Sequence, residues 1–357
     1  MNDYINIIML FSIAFVVSFF MTPFVKNLAI KVNAIDVPKD ERRVHKKPIP
    51  RLGGLAMLSG FIMALIYYFI MVGMDSVVFN SKILGLILGI IIIEIAGIWD
   101  DIKPIRAWTK LAFQIAAAAV VVGFGVRVEF LTNPFVENGI FELGIWSVPL
   151  TMLWIVGITN AINLIDGLDG LSTGIAIISS VSLLIIFALN GSPFIAIIII
   201  TALVGALSGF LPFNFNPAKT FIGDIGSNFV GFILAIVSIL GVAKTATAFV
   251  VVLPMIVLGL PIFDTLSAIV RRLIKGKSLK AVFQADKGHL HHKLIEKGFS
   301  QKEAVLTLYG ISVACGMFAV ILFESDIWKA ISFALMVIAV VCIGYKEFFK
   351  LKEEENK

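Results

Sequence analysis

Thr159–Thr173 reads TNAINLIDGLDGLST. Asn160, Asn163, Asp166 and Asp169 are packed here with Gly167 and Gly170, between two long apolar runs. Polar groups beside hydrocarbon are costly and are retained where they bind or react. Whether the flanking runs belong to a soluble core or to a membrane decides how this segment is read, and the rest of the chain settles that point.

Of the 357 residues, 59% are hydrophobic and 15% charged, and the mean hydropathy is +0.99. A soluble protein of this length could not hide so much apolar surface. The apolar residues also come in blocks of roughly 18 or more, the length that crosses a bilayer as a helix. The sequence therefore predicts an all-α polytopic membrane protein of about eleven transmembrane helices. They are expected near 5–28, 53–74, 83–99, 108–125, 148–159, 171–189, 193–211, 225–243, 247–270, 304–323 and 328–345. The fifth is short, and Pro254 and Pro261 predict a kink or break in the ninth. The first run, Ile5–Leu28, lacks the basic n-region of a cleaved signal peptide and reads as a retained helix. Cys315 and Cys342 lie within apolar runs, which argues against a disulfide framework.

Charge sets the orientation. With the N-terminus outside and the C-terminus cytoplasmic, the connections 31–52, 100–107, 160–170, 212–224 and 271–303 share the cytoplasmic face. Lys and Arg crowd into the first and last of these, whereas the opposite connections hold only Lys82, Arg127, Lys244 and Lys329. The whole chain, 1–357, is read as a single integral membrane domain with those five loops as its active face. Outside, alternation around Val126–Phe130 and Ile140–Ile145, with Asn133-Pro134 and Asn138-Gly139 between, predicts a short β-hairpin.

Every unusual polar cluster falls on the cytoplasmic side. Asp100-Asp101 close the third span, and carboxylates at a helix C-terminus oppose the helix dipole. Adjacent carboxylates also repel unless a cation is near, which favours a metal or proton-transfer role over a solvated helix end. Asp224, in FIGDIGSN, opens the eighth span, where capping with Ser227 and a functional role are equally open; Asp169 has the same ambiguity before the sixth. Helix starts favour anions, and oxygen ligands from Asn and Asp suit magnesium shared with substrate phosphates. Carboxylates, amides, glycines and many basic residues on one face fit a magnesium-dependent phosphoryl transfer. His289, His291 and His292 sit in a basic loop without cysteines, so diphosphate or substrate binding suits them better than zinc. His45 and Arg51, in ERRVHKKPIPRLGG, read as part of a phosphate-handling loop, against the plainer alternative of a basic anchor for anionic lipid.

Taken together, RVHKKPIPRLGG, GIWDD, NAINLIDGLDGL, FIGDIGS and HLHH, in that order from Arg43 to His292, resemble the polyprenyl-phosphate N-acetylhexosamine-1-phosphate transferases, of the glycosyltransferase family 4 type. Each motif alone is weak; the ordered set is specific. The resemblance implies transfer of a sugar-1-phosphate from a UDP-sugar to a polyprenyl phosphate with release of UMP, and a requirement for Mg2+, with Mn2+ as a substitute. It implies Asn163 and Asp224 as metal ligands and Asp100 or Asp101 as the group that deprotonates the lipid phosphate. Asp169 and Phe221 would hold the uracil, and Lys46, Lys110, His289, His291 and His292 would lie near nucleotide, diphosphate or sugar. Asn160 and Asp166 join the substrate-binding set, Asp166 by matching an aspartate present in the bacterial relatives.

HLHH and PIPRLGG resemble the branch that uses UDP-GlcNAc and undecaprenyl phosphate. The phospho-MurNAc-pentapeptide transferases, which carry three consecutive histidines and PTMGG, are the alternative. The expected role is the first membrane step of teichoic acid, lipopolysaccharide or another envelope polysaccharide, on the cytoplasmic face of a bacterial inner membrane. Membrane lipid is an expected partner and nucleic acid is not; a homodimer is allowed but not required. A secondary transporter, from another class, would place its polar breaks near the bilayer midplane and show internal repeats. A CDP-alcohol phosphotransferase would need further residues after Asp166-Gly167 that do not follow.

Overall fold

The computed structural model describes residues 2–38, 47–72, 81–132, 140–242, 252–276, 288–324, 329 and 331–337. Apolar blocks become helices because a helix satisfies its own backbone in a medium without water. In chain order these are α1 (Asn2–Lys31), α2 (Gly54–Val72), α3 (Ser81–Ile102), α4 (Ala107–Gly123), α5 (Ser147–Ile165), α6 (Leu171–Leu189), α7 (Phe194–Asn214) and α8 (Gly223–Val242). Then follow α9 (Val252–Val257), α10 (Gly259–Gly276), α11 (Leu290–Glu296) and α12 (Gln301–Glu324). Among the described residues, eight helices are long and apolar enough to cross a membrane, which makes this a multi-pass membrane protein.

The expected spans differ from these helices at instructive places. The fourth is α4, at 17 residues a shorter apolar helix. The ninth is broken at Leu258, between α9 and α10, as its prolines predict. Of the eleventh, residues 329 and 331–337 are helical and the rest lies outside the described residues. The fifth is not short: α5 runs unbroken to Ile165, so Asn160 and Asn163 stand on a helix and the connection begins at Asp166. The reason is burial. Ala161, Ile162 and Ile165 face the core, while side chains from other helices satisfy the two amides.

Two small antiparallel pairs complete the structure. β1 (Ile35–Asp36) pairs with β2 (Ile49–Pro50), at two residues too short to register as a periodic signal. β3 (Phe130–Thr132) pairs with β4 (Ile140–Glu142). Of the expected arms, Val126–Phe130 meets β3 only at Phe130 and Ile140–Ile145 gives way to a 3-10 turn at Gly144; residues 133–139 lie outside the described residues.

The bundle is built round α8, whose spanning window is wholly buried and which packs against α2, α3, α5, α6 and α7. Helices that gain nothing from leaving lipid associate through small residues and polar contacts, and α8 uses both. Gly226 lies so close to Gly54 of α2 that a Cβ on Gly54 would overlap the Gly226 backbone. Trp154 of α5 donates its indole N–H to Ser238 Oγ at 3.0 Å. A buried central helix fixes the position of its own N-terminus, and there the candidate site is found.

Candidate active site

Two motifs far apart in sequence lock together at the start of α8. The Phe221 N–H donates to Pro50 O (2.8 Å), while the Gly53 and Gly54 N–H groups donate to Phe221 O and Ile222 O (3.0 and 2.8 Å). Gly223 then turns with φ +69°, a left-handed conformation that side chains disfavour, and a Cβ there would also strike the Arg51 carbonyl and the Asp101 carboxylate.

Asp101 explains that crowding. Its Oδ1 accepts the Asp224 N–H (2.9 Å) and its Oδ2 the Ile225 N–H (3.0 Å), so α3 supplies the cap for α8. Asp224 is therefore not the N-cap of its own helix; it sits in the first turn, and Ser227 Oγ donates back to Gly223 O (2.8 Å) instead of capping with it. Relieved of capping, the Asp224 carboxylate collects cations and amides. Lys110 Nζ and Asn163 Nδ2 each lie 2.7 Å from Oδ1, and Arg51 Nη2 is 3.1 Å from Oδ2. Arg51 also pairs with Asp101 Oδ1 at 3.0 Å, and Lys110 with Asp100 Oδ2 at 2.8 Å. Asp100 Oδ1 meanwhile accepts the Ile105 N–H at 2.7 Å, closing the turn after α3.

Behind this layer a chain of amides crosses three helices. Asn160 Nδ2 donates to Gln114 Oε1 (2.6 Å), Gln114 Nε2 to Asn228 Oδ1 (2.9 Å), and Asn228 Nδ2 to Asp224 O (2.7 Å). A satisfied polar network of this kind fixes one arrangement of α4, α5 and α8, because each broken link would strand a buried amide.

The site opens into a cavity of about 400 Å3 lined by Asp36, Arg51, Lys110, Asn163, Asp166, Gly167, Leu168, Asp169, Asn214, Phe221, Gly223, Asp224, Ser227, His292 and Gln301. Eight of the sequence-predicted residues thus meet in one place: Arg51, Lys110, Asn163, Asp166, Asp169, Phe221, Asp224 and His292. Asp100 and Asp101 are not among the lining residues; they stand behind Lys110 and Arg51. Asn160 belongs to the amide chain, and His45 and Lys46 lie outside the described residues. Asp169 does not cap α6, whose N-cap is Gly170 without a side-chain bond. Its Oδ2 instead accepts from Asn216 Nδ2 (2.9 Å) and the Ala218 N–H (3.0 Å), tying the 166–170 loop to the segment before α8. Asp166 accepts the Ser172 hydroxyl at 2.6 Å. Burial, opposed by that hydroxyl and reinforced by the Asp224 and Asp169 carboxylates, pushes Asp166 up to about 7.

The histidine loop is held by a residue outside every motif. Asp264 of α10 receives the Leu290 N–H on Oδ1 (2.8 Å), and His289 Nδ1 lies 2.7 Å from its Oδ2. His291 is buried with its ring on Gly167, and desolvation, helped by His292 and His289, holds it down at about 3. It is a neutral packing group that joins the loop to the 166–170 turn, and only His292 of the three reaches the cavity lining. Asp264 and Gln114 did carry a signal, each being a polar residue inside an apolar run. Asp36, Asn214, Asn216 and Gln301 carried none beyond their polarity.

Could this cavity hold a magnesium ion? Asn163 and Asp224 both line its wall and each carries an oxygen able to ligate a metal; here Asn163 meets Asp224 through its Nδ2. Among the described residues no group of three or more His, Cys, Asp or Glu side chains is arranged to hold a metal. Magnesium keeps waters and takes one or two protein ligands together with substrate phosphates, and an Asn–Asp pair is a donor set of that kind. The residues fit that ion.

Comparison with known proteins gives a consistent picture. The family model described as glycosyl transferase family 4 matches residues 83–242. A probable undecaprenyl-phosphate N-acetylglucosaminyl 1-phosphate transferase of Bacillus subtilis is 38% identical over 334 residues, covering 94% of this chain and 90% of that protein. A decaprenyl-phosphate N-acetylglucosaminephosphotransferase of Mycolicibacterium smegmatis is 34% identical, covering 92% and 85%. A phospho-N-acetylmuramoyl-pentapeptide-transferase of Desulfotalea psychrophila is 30% identical, covering 78% and 81%.

Proposed function

The chain belongs to glycosyl transferase family 4, and from that premise we propose that it transfers GlcNAc-1-phosphate from UDP-GlcNAc to undecaprenyl phosphate, yielding undecaprenyl-diphosphate-GlcNAc and UMP. The observation that carries this reading is the convergence of Asn163, Lys110 and Arg51 on the Asp224 carboxylate at the wall of a polar cavity. The choice of acceptor and sugar rests on the UDP-GlcNAc-type motifs and on the Bacillus subtilis relative, matched over more of the chain and at higher identity than the muramoyl-pentapeptide relative.

Attack by one phosphate on another sets anion against anion, so the site must neutralise charge and hold the two in line. Magnesium, held by Asp224 and Asn163, would neutralise charge on the diphosphate. Lys110 and Arg51 add fixed positive charge beside it. Phe221 offers a ring face for the uracil and Asp169 an acceptor for its N–H. His292 approaches from the opposite loop. Of the carboxylate pair, Asp101 has both oxygens committed to backbone N–H groups of α8, whereas Asp100 gives only Oδ1 to a backbone N–H, that of Ile105, and pairs Oδ2 with the Lys110 side chain. Asp100 is therefore assigned the proton of the lipid phosphate, and Asp101 the positioning of Asp224.

The lipid tail has to stay in hydrocarbon while its phosphate reaches the cavity. On α10, Asp264 is buried toward the histidine loop while Phe263, Leu266, Val270 and Ile274 are exposed. That apolar stripe beside the α9–α10 break is our candidate for the tail. We place the active face on the cytoplasmic side of a bacterial cell membrane, a reading the charge asymmetry supports, and assign the reaction to the first membrane step of an envelope polysaccharide such as teichoic acid.

The test is to incubate the purified protein with Mg2+, undecaprenyl phosphate and radiolabelled UDP-GlcNAc, with UDP-MurNAc-pentapeptide in parallel. Labelled lipid and UMP from the first substrate support the reading. Product only from the second moves the chain to the other branch, and product from neither refutes the assignment.

A further inference from the structure

The Asp224 carboxylate has more partners than a metal ligand can keep. Oδ1 accepts from Lys110 Nζ and Asn163 Nδ2, both at 2.7 Å, and Oδ2 from Arg51 Nη2 at 3.1 Å. A divalent cation on Oδ1 and an ammonium 2.7 Å from the same oxygen exclude one another, since like charges at contact in a poorly solvated wall repel strongly. One of the basic side chains must yield.

The geometry identifies which. Arg51 is anchored twice: its Nη2 also lies 3.0 Å from Asp101 Oδ1, and Asp101 is itself pinned by the N–H groups of Asp224 and Ile225. Its guanidinium is a planar fork that loses both contacts if it turns. Lys110 carries a compact charge on a flexible four-carbon stem. Its second partner, Asp100 Oδ2 at 2.8 Å, stays available after Asp224 is released. Lys110 also lines the cavity, so an anion arriving there offers the ammonium a new partner without moving α4.

We propose that Lys110 couples the two ligands of this site: it competes with the divalent cation for Asp224 Oδ1, and transfer of its ammonium to the diphosphate of the nucleotide-sugar opens that oxygen to the metal. The inference rests on Asp224 as a metal ligand and on the cavity as the nucleotide site. Its consequence is reciprocal: nucleotide-sugar tightens cation binding, and cation tightens nucleotide-sugar binding by the same factor. Removing the Lys110 charge strengthens cation binding to the protein alone while weakening turnover, opposite signs that a purely structural or purely catalytic lysine would not give.

Mn2+ binding to the full-length protein in detergent, followed by electron paramagnetic resonance, reads this directly without turnover. With wild type, UDP-GlcNAc in the absence of lipid acceptor should tighten Mn2+ binding about tenfold or more. Lys110→Met should bind Mn2+ about tenfold more tightly than wild type without nucleotide, and nucleotide should add little further. Lys110→Arg, which keeps the charge, should retain weak binding in the absence of nucleotide. If Lys110→Met melts as wild type does yet binds Mn2+ no more tightly, while Asp224→Asn abolishes binding, the coupling is overturned and the metal site stands. If Asp224→Asn binds Mn2+ normally, the metal reading itself fails. Should Lys110→Met not fold, Lys110→Gln, which can still donate to Asp100, carries the same comparison and the same refuting result.

Discussion

Replacing Asp101 by alanine separates a cap from a catalyst. Asp101 is a residue of α3 that terminates α8. Its side chain is fully buried, and it accepts two N–H groups from the first turn of that helix and a guanidinium N–H from Arg51. Hydrogen bonds to a charged group contribute about 1.5–3 kcal/mol each, and no water replaces them at a buried helix start. Arg51 keeps Asp224 as a partner, so its charge is not stranded, and the expected cost of Asp101→Ala is ~3 kcal/mol rather than the ~5 kcal/mol of a fully broken buried pair. In a chain of this size that is a fall of about 5 °C in melting temperature, measured in detergent by intrinsic fluorescence. Transfer activity should fall with it, because the Asp224 carboxylate is no longer held. Asp100→Asn is the control: the amide oxygen keeps the Ile105 N–H, so activity should drop with little change in melting. If Asp101→Ala loses activity by several orders of magnitude and melts as wild type does, Asp101 is a reacting group and the cap assignment is wrong.

Other positions give independent tests. Gly54→Ala puts a Cβ on the Gly226 backbone, where neither chain can yield; a cost of about 3 kcal/mol or more should show as loss of monodisperse protein on size exclusion, and a normal profile would deny the close approach. Glu94 is buried in α3, and neither of its carboxylate oxygens has a hydrogen-bond partner among the described residues. Glu94→Met, similar in volume, should therefore raise stability by about 1–3 kcal/mol; a lower melting temperature would mean the carboxyl is held by something it needs. For Asp166, a carboxyl raised to about 7 in the fold binds its proton more tightly there than in the unfolded chain. Its favourable contribution is complete below the unfolded value of ~4 and is lost as pH climbs to about 7. Wild type should accordingly lose melting temperature relative to Asp166→Asn between those limits and run parallel above them; parallel curves throughout would place Asp166 in an ordinary environment.

The sequence and the structure agree where information is local and part where it is not. The sixth span, expected at 171–189, is α6 at Leu171–Leu189, since a mostly apolar run without charge between a glycine turn and an Asn-Gly pair leaves little choice of ends. The motifs likewise gathered most of their residues into one cavity. What could not be read was the division of labour among like residues, because partners sit far off along the chain. Asp100 and Asp101 are neighbours in sequence and equal in chemistry. Successive positions on a helix point about 100° apart, so one turns to Lys110 and the loop after α3 and the other to the backbone of α8. Asn160 and Asn163 look like loop residues because amides suit turns. They are helical because Gln114 and Asp224, 46 and 61 residues away, complete their hydrogen bonds. Arg51 reaches Asp224 across 173 residues, a distance no periodicity spans. Asp264 shows the limit most clearly. Motif reading treats HLHH as three candidate ligands for a substrate, yet the loop's position comes from one aspartate on a different helix that fixes the Leu290 backbone and the His289 ring together. A membrane-embedded carboxylate is costly unless paired, so each such residue in this chain implies a partner by its place in an apolar run, though not which partner. Of the buried carboxylates Glu94 and Asp264, which no motif covers, Asp264 has found its partner, and Glu94 has none among the described residues.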